Sequence, residues 1–122
     1  MPSIAIIGAS NDRKKFGNKA VRAYNQRGWT VFPVSLKEHA VEHIPAYASV
    51  LDIDSTPNCA SLYVPPAAVM DVLEEVAEKG IKAVYFNPGT ESDAALQKAK
   101  KLGLEPIVAC SIRAIGVDPD TL

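Results

Sequence analysis

The sequence is 122 residues long, enough for one domain and too short for two. Its 48% hydrophobic and 22% charged content is ordinary for a soluble globular fold and excludes a disordered or fibrous chain. The formal net charge of −1 gives no electrostatic reason to expect nucleic acid as a partner, and no apolar run approaches membrane-spanning length.

Strand-like and helix-like segments alternate along the whole chain. Ser3-Ile4-Ala5-Ile6-Ile7 is short, apolar on both faces and closed by Gly8, which suits the middle of a parallel sheet covered on both sides. Residues 17–27 read as a helix with Ala20, Val21 and Tyr24 on one face and Gly28 as its stop. Thr30 to Val34 is the second strand. Residues 35–58, punctuated by Pro45 and Pro57, are expected to be loop with one helical turn near residues 47–51. The third strand is placed at residues 60–64. Pro65-Pro66 then opens a helix whose apolar stripe is Val69, Val72, Leu73, Val76 and Ala77, ended by Gly80.

The fourth strand is Ala83 to Phe86, stopped by Asn87-Pro88-Gly89. Thr90 and Asp93 have the spacing of a capping box for a helix lined by Leu96, Ala99 and Leu102 and closed by Gly103. Residues 105–109 make a fifth strand, and residues 111–122 read as a tail. The pattern predicts an α/β fold, a single Rossmann-like doubly wound domain over residues 1–122 with a five-stranded, mostly parallel sheet. In such sheets ligands bind at the carboxyl ends of the strands, where strand order reverses. Candidate site residues are therefore those just after Ile7, Val34, Val64, Phe86 and Ala109.

After the first strand come Gly8-Ala9-Ser10 and then Arg13, Lys14, Lys15, Phe16, Gly17 and Asn18, leading into the helix. Small residues let the backbone approach a ligand, helix-terminal amides attract anions, and the basic run suits a pyrophosphate. A tight turn with a solvated basic run is the bland alternative, and the topology favours the phosphate site. The dinucleotide fingerprint G-x-G-x-x-G is absent, since Ser10 and Arg13 stand where its second and third glycines belong. NAD or NADP remains an alternative cofactor. An NAD site, however, wants an acid at the end of the second strand, and here Pro33-Val34-Ser35-Leu36-Lys37 brings a lysine suited to a further phosphate. Coenzyme A carries such a phosphate on its adenosine ribose.

Six segments in order, Ile7 to Ser10, Lys15 to Ala20, Gly28 to Val34, Tyr63 to Pro66, Asn87 to Ser92 and Ala109 to Ser111, resemble the small coenzyme-A-binding-domain proteins. These in turn are similar to the nucleotide-binding domain of the succinyl-CoA synthetase alpha subunit. The resemblance implies a coenzyme A pyrophosphate on the first loop, with Pro33, Val34 and Lys37 and with Val64, Pro65 and Pro66 flanking the adenosine end. One departure is Pro33-Val34-Ser35-Leu36, where the family often has Pro-Val-Asn-Pro.

Other candidates carry less. His39-Ala40-Val41-Glu42-His43 matches the H-x-x-E-H pattern of inverted zinc proteases, which needs a helix to put both histidines on one face. Pro45 cuts the segment short, so a solvated loop is expected and no metal is assigned. Cys110 lies on the predicted ligand edge and could meet the thiol of bound coenzyme A, though a small residue closing the sheet is the simpler account. Asn87, Pro88 and Gly89 are open between a ligand contact and a plain turn. Cys59 is structural, and Tyr24, Trp29 and Tyr85 are packing residues.

With no complete catalytic constellation, the expected function is a non-catalytic coenzyme A or acyl-CoA binding module. The synthetase's phosphorylated histidine lies in a further domain, with no counterpart before residue 122. The alternatives are the CoA-site subunit of an acyl-CoA synthetase-like enzyme, a small NAD(P)-binding reductase, or an interaction domain without ligand. A homo-oligomer or an enzyme partner chain is expected rather than nucleic acid or membrane. Met1-Pro2-Ser3 leads straight into a strand and both cysteines are expected to be reduced, so the location expected is the cytoplasm.

Overall fold

The computed structural model describes residues 2–122. Its main sheet has five strands, β1 (Ser3–Ile7), β2 (Thr30–Val34), β5 (Cys59–Leu62), β6 (Ala83–Phe86) and β7 (Glu105–Val108), in the order β2-β1-β5-β6-β7. Every pairing in it is parallel, so the sheet is wholly rather than mostly parallel. The order reverses between β1 and β5.

The alternation within β1 builds three layers. Ile4 and Ile6 point to a cluster with Ala20, Val21 and Tyr24 of α1 (Phe16–Gln26) and Ile112 of α4 (Ser111–Ala114). Ala5 and Ile7 point the other way, to Val69, Leu73 and Val76 of α2 (Pro66–Lys79) and Ala95 and Ala99 of α3 (Asp93–Lys101). A strand buried on both faces must be apolar throughout, which is why β1 shows no polar alternation. Tyr24 is wholly buried. Its hydroxyl donates to the Ser111 carbonyl at 2.7 Å, and its ring meets Trp29 edge-on at 4.9 Å.

Three local features differ from the sequence reading. Residues 35–58 contain an antiparallel hairpin, β3 (Ala40–Val41) with β4 (Ile44–Pro45), before a 3-10 turn at Val50–Asp52. The H-x-x-E-H segment is thus this hairpin and not a helix. Among the described residues no three His, Cys, Asp or Glu side chains are grouped to hold a metal. The N-cap of α3 is Ser92, whose Oγ accepts from Ala95 N at 3.1 Å, while Thr90 instead donates to the Asn87 carbonyl at 2.7 Å. The tail folds as α4 and a 3-10 turn at Pro119–Thr121. No helix among the described residues is long and apolar enough to cross a membrane.

Candidate functional site

The carboxyl ends of the strands open into a cleft of about 930 Å³, large enough for a nucleotide-sized ligand. Its wall is built where β1 turns into α1. Gly8 has φ +95°, and a Cβ there would lie 2.3 Å from the Tyr63 carbonyl oxygen. A Cβ on Gly17 would lie 2.4 Å from the Gly8 carbonyl oxygen. The two glycines therefore let the first turn of α1 press against the end of β1. The amides of Gly8 and Ala9 both donate to the Val34 carbonyl, at 3.0 and 3.1 Å, and Tyr63 N donates to Ile7 O at 2.8 Å.

This packing leaves a bare helix end. The N-cap residue of α1, Lys15, makes no side-chain cap, and its carbonyl receives the amides of Asn18 and Lys19, both at 3.1 Å. The amides of Phe16 and Gly17, two residues that line the cleft, find no acceptor among the described residues. Unfilled N-terminal amides and the positive end of the helix dipole make an anion site. The side chains of Lys15 and Lys37 also line the cleft, and neither is ion-paired among the described residues.

The cleft gathers most of the residues singled out from sequence: Gly8, Ala9, Ser10, Lys15, Phe16, Gly17, Val34, Lys37, Val64, Pro65, Asn87, Pro88, Gly89 and Cys110. Four stand outside it. Arg13 turns to Glu42, with Nε 3.4 Å from the carboxylate. Asn18 is buried and donates to Ser10 O at 2.8 Å and to Glu42 Oε2 at 2.9 Å, so it shapes the loop from behind. Pro33 lies inside β2, where its carbonyl accepts from Tyr47 N at 2.9 Å. Pro66 sits at the start of α2 and faces solvent.

The floor is a closed polar network. Both N–H groups of the buried Asn87 amide are used, on Ser61 Oγ at 2.8 Å and Leu62 O at 2.9 Å, and its oxygen accepts from Ser111 N at 2.9 Å. Ser111 Oγ bonds Ser61 Oγ at 2.7 Å and Tyr63 OH at 2.9 Å. Burial raises the Tyr63 phenol above its ordinary 10.0, a rise the hydrogen bonds from Ser111 and Ser61 partly offset. Asn87 thereby joins β5, β6 and α4 and serves the turn first. Burial pushes the Cys59 thiol up to about 11, leaving it inert, whereas the half-buried Cys110 borders the cleft.

Sequence reasoning missed Tyr63 and Arg113 as lining residues. Tyr63 follows directly on β5 and was legible from that position. Arg113 belongs to a four-residue helix with no periodicity to announce it.

Residues 2–115 match the profile of a family described as CoA binding domain. The acetate–CoA ligase (ADP-forming) II subunit alpha of Pyrococcus furiosus is 40% identical over 84 residues, 68% of this chain and 18% of that protein. The acetate–CoA ligase (ADP-forming) II of Archaeoglobus fulgidus is 32% identical over 114 residues, 84% of this chain and 17% of that protein. The chain thus spans less than a fifth of the length of these curated relatives. Among solved structures, a hypothetical protein from Pyrococcus horikoshii superposes with a TM-score of 0.85 at 33% identity, covering 90% of this chain and 78% of that one.

Proposed function

Because the chain belongs to the CoA binding domain family, we propose that its cleft holds coenzyme A, free or acylated, as a binding module that performs no chemistry itself. The observation that carries this is the bare N-terminus of α1, held against β1 by the Gly8–Gly17 approach and flanked by Lys15. In this reading the pyrophosphate lies on the Phe16 and Gly17 amides. Lys37, at the edge of β2, meets the ribose phosphate. Val64 and Pro65, which line the cleft, flank the adenosine end in this reading.

Two observations weigh against NAD or NADP. No acid occupies the last residues of β2, and Ser10 and Arg13 stand where the dinucleotide fingerprint has its second and third glycines. The non-catalytic part of the proposal rests on the floor: Asn87, Ser61, Tyr63 and Ser111 are bonded to one another rather than poised as nucleophile and base. A second reading is favoured by the ligase relatives: the chain supplies the CoA site of an acyl-CoA-forming assembly completed by a partner chain.

A thermal-shift titration with CoA, acetyl-CoA, NAD and NADP tests the proposal. Ligand at a hundred times its dissociation constant adds about 2.7 kcal/mol of stability. Stabilisation by CoA or acetyl-CoA alone, lost in Lys15→Ala, is the expected result. Stabilisation by NAD without CoA would overturn the assignment. Copurification of a chain that together with this one forms acyl-CoA would favour the second reading.

A further inference from the structure

The H-x-x-E-H segment, folded as a hairpin, contacts the anion loop. The turn between β3 and β4 puts Glu42 at φ 49° and His43 at φ 66°. Two-residue hairpin turns of this kind normally use Asn-Gly, because side chains in the left-handed region are strained. Neither Glu nor His relieves that strain, so contacts beyond the turn must hold it.

Those contacts run to the loop between β1 and α1 and to the first turn of α1. Asn11 donates through Nδ2 to the Glu38 carboxylate and to Ala40 O, the latter at 2.8 Å, and its Oδ1 accepts from Glu42 N at 3.2 Å. The Glu42 carboxylate accepts from Asn18 Nδ2 at 2.9 Å and pairs with Arg13 Nε at 3.4 Å. Asn18 Nδ2 also holds Ser10 O at 2.8 Å. Arg22 of α1 completes the ring, donating to Asn18 Oδ1 at 2.7 Å and to Arg13 O at 2.9 Å. Hairpin, loop and helix are thus tied around the segment that leads to the open Phe16 and Gly17 amides.

We infer that the β3–β4 hairpin is a brace that fixes the shape of the Ser10–Gly17 loop for binding a polyphosphate, with Asn11 and Glu42 as its positioning residues. Its binding consequence rests on the CoA reading above; its effect on the loop does not. Asn11 lies outside the cleft and is uncharged, so removing its side chain takes away its bonds to Glu38, Ala40 and Glu42 while altering no formal charge. It also accounts for Arg13, which serves the brace instead of the ligand.

The loop carries its own reporter, three adjacent trypsin sites at Arg13, Lys14 and Lys15. In Asn11→Ala, tryptic cleavage there, followed by mass spectrometry, rises about tenfold in the free protein as the loop opens locally. CoA affinity measured by calorimetry falls about tenfold, while the melting temperature moves by only a few degrees. His43→Gly relieves the left-handed residue without touching the tie. It raises the melting temperature and leaves cleavage and affinity as in the wild type. Unchanged cleavage in Asn11→Ala overturns the brace, and increased cleavage with unchanged CoA affinity overturns its role in binding. If the wild type binds no CoA, the coenzyme reading fails, and the cleavage ratio still decides whether the hairpin braces the loop.

Discussion

Replacing Gly17 by alanine isolates the close approach on which the anion site depends. The residue is helical with no positive φ, so alanine is compatible with the backbone and in an ordinary helix would gain about 1 kcal/mol. Here the new Cβ would sit 2.4 Å from the Gly8 carbonyl oxygen and 3.4 Å from Ala9 Cα. Both neighbours are backbone atoms. Gly8 and Ala9 are pinned by their amides to Val34 O, so they cannot swing aside as a flexible side chain could. Overpacking costs roughly 1–3 kcal/mol, and a 2.4 Å approach to fixed backbone puts this case in the upper part of that range, about 2–3 kcal/mol, so about 1–2 kcal/mol is lost net of the propensity gain. At this chain length that lowers the melting temperature by about 5–10 °C by calorimetry. The displaced helix end should also weaken CoA binding. A Gly17→Ala protein that melts at or above the wild-type temperature and titrates CoA normally would refute the close packing of α1 on β1.

Three further outcomes follow from other parts of the molecule. Tyr24→Phe strands the buried Ser111 carbonyl and should cost about 1–3 kcal/mol in urea denaturation; an unchanged midpoint would deny that this bond anchors α4. Burial raises the Cys59 thiol from its ordinary 9.0 to about 11, and a raised folded-state value means stability is full below 9 and is lost as pH climbs through 11. Thermal melts between pH 8 and 11 should therefore fall, and Cys59→Ala should flatten part of that fall, the buried tyrosines accounting for the rest. Lys37→Ala should weaken CoA but leave dephospho-CoA unaffected in parallel calorimetric titrations; equal losses for both would move Lys37 away from the ribose phosphate.

The alternation of apolar strands and capped helices was enough to read β1, β2, β6 and the three longer helices nearly to the residue. Each is specified by its own local pattern, such as Pro66 opening α2 and Gly80 closing it at φ 92°. The β3–β4 hairpin was not legible because its strands have two residues each and its turn lacks the glycine that announces such turns. It depends on Asn11, 31 residues away from Glu42. α4 was hidden for the same reason: its four residues are held by Tyr24, Ser61, Tyr63 and Asn87, none of them neighbours in sequence. Ser92 and Thr90 differ in which reaches the first turn of α3, a choice set by where the Asn87 turn releases the chain. The candidate site was legible where a strand-end rule applied, and illegible at Arg113, which reaches the cleft from beyond the last strand.

The most direct test of the central claim is a map of backbone amide chemical shifts in nitrogen-labelled protein during titration with CoA. The account predicts the largest changes at Gly8 to Gly17, above all at the open amides of Phe16 and Gly17, with a second group at Ser35 to Lys37. Changes confined to the outer faces of α2 and α3, or none at saturating CoA, would contradict it.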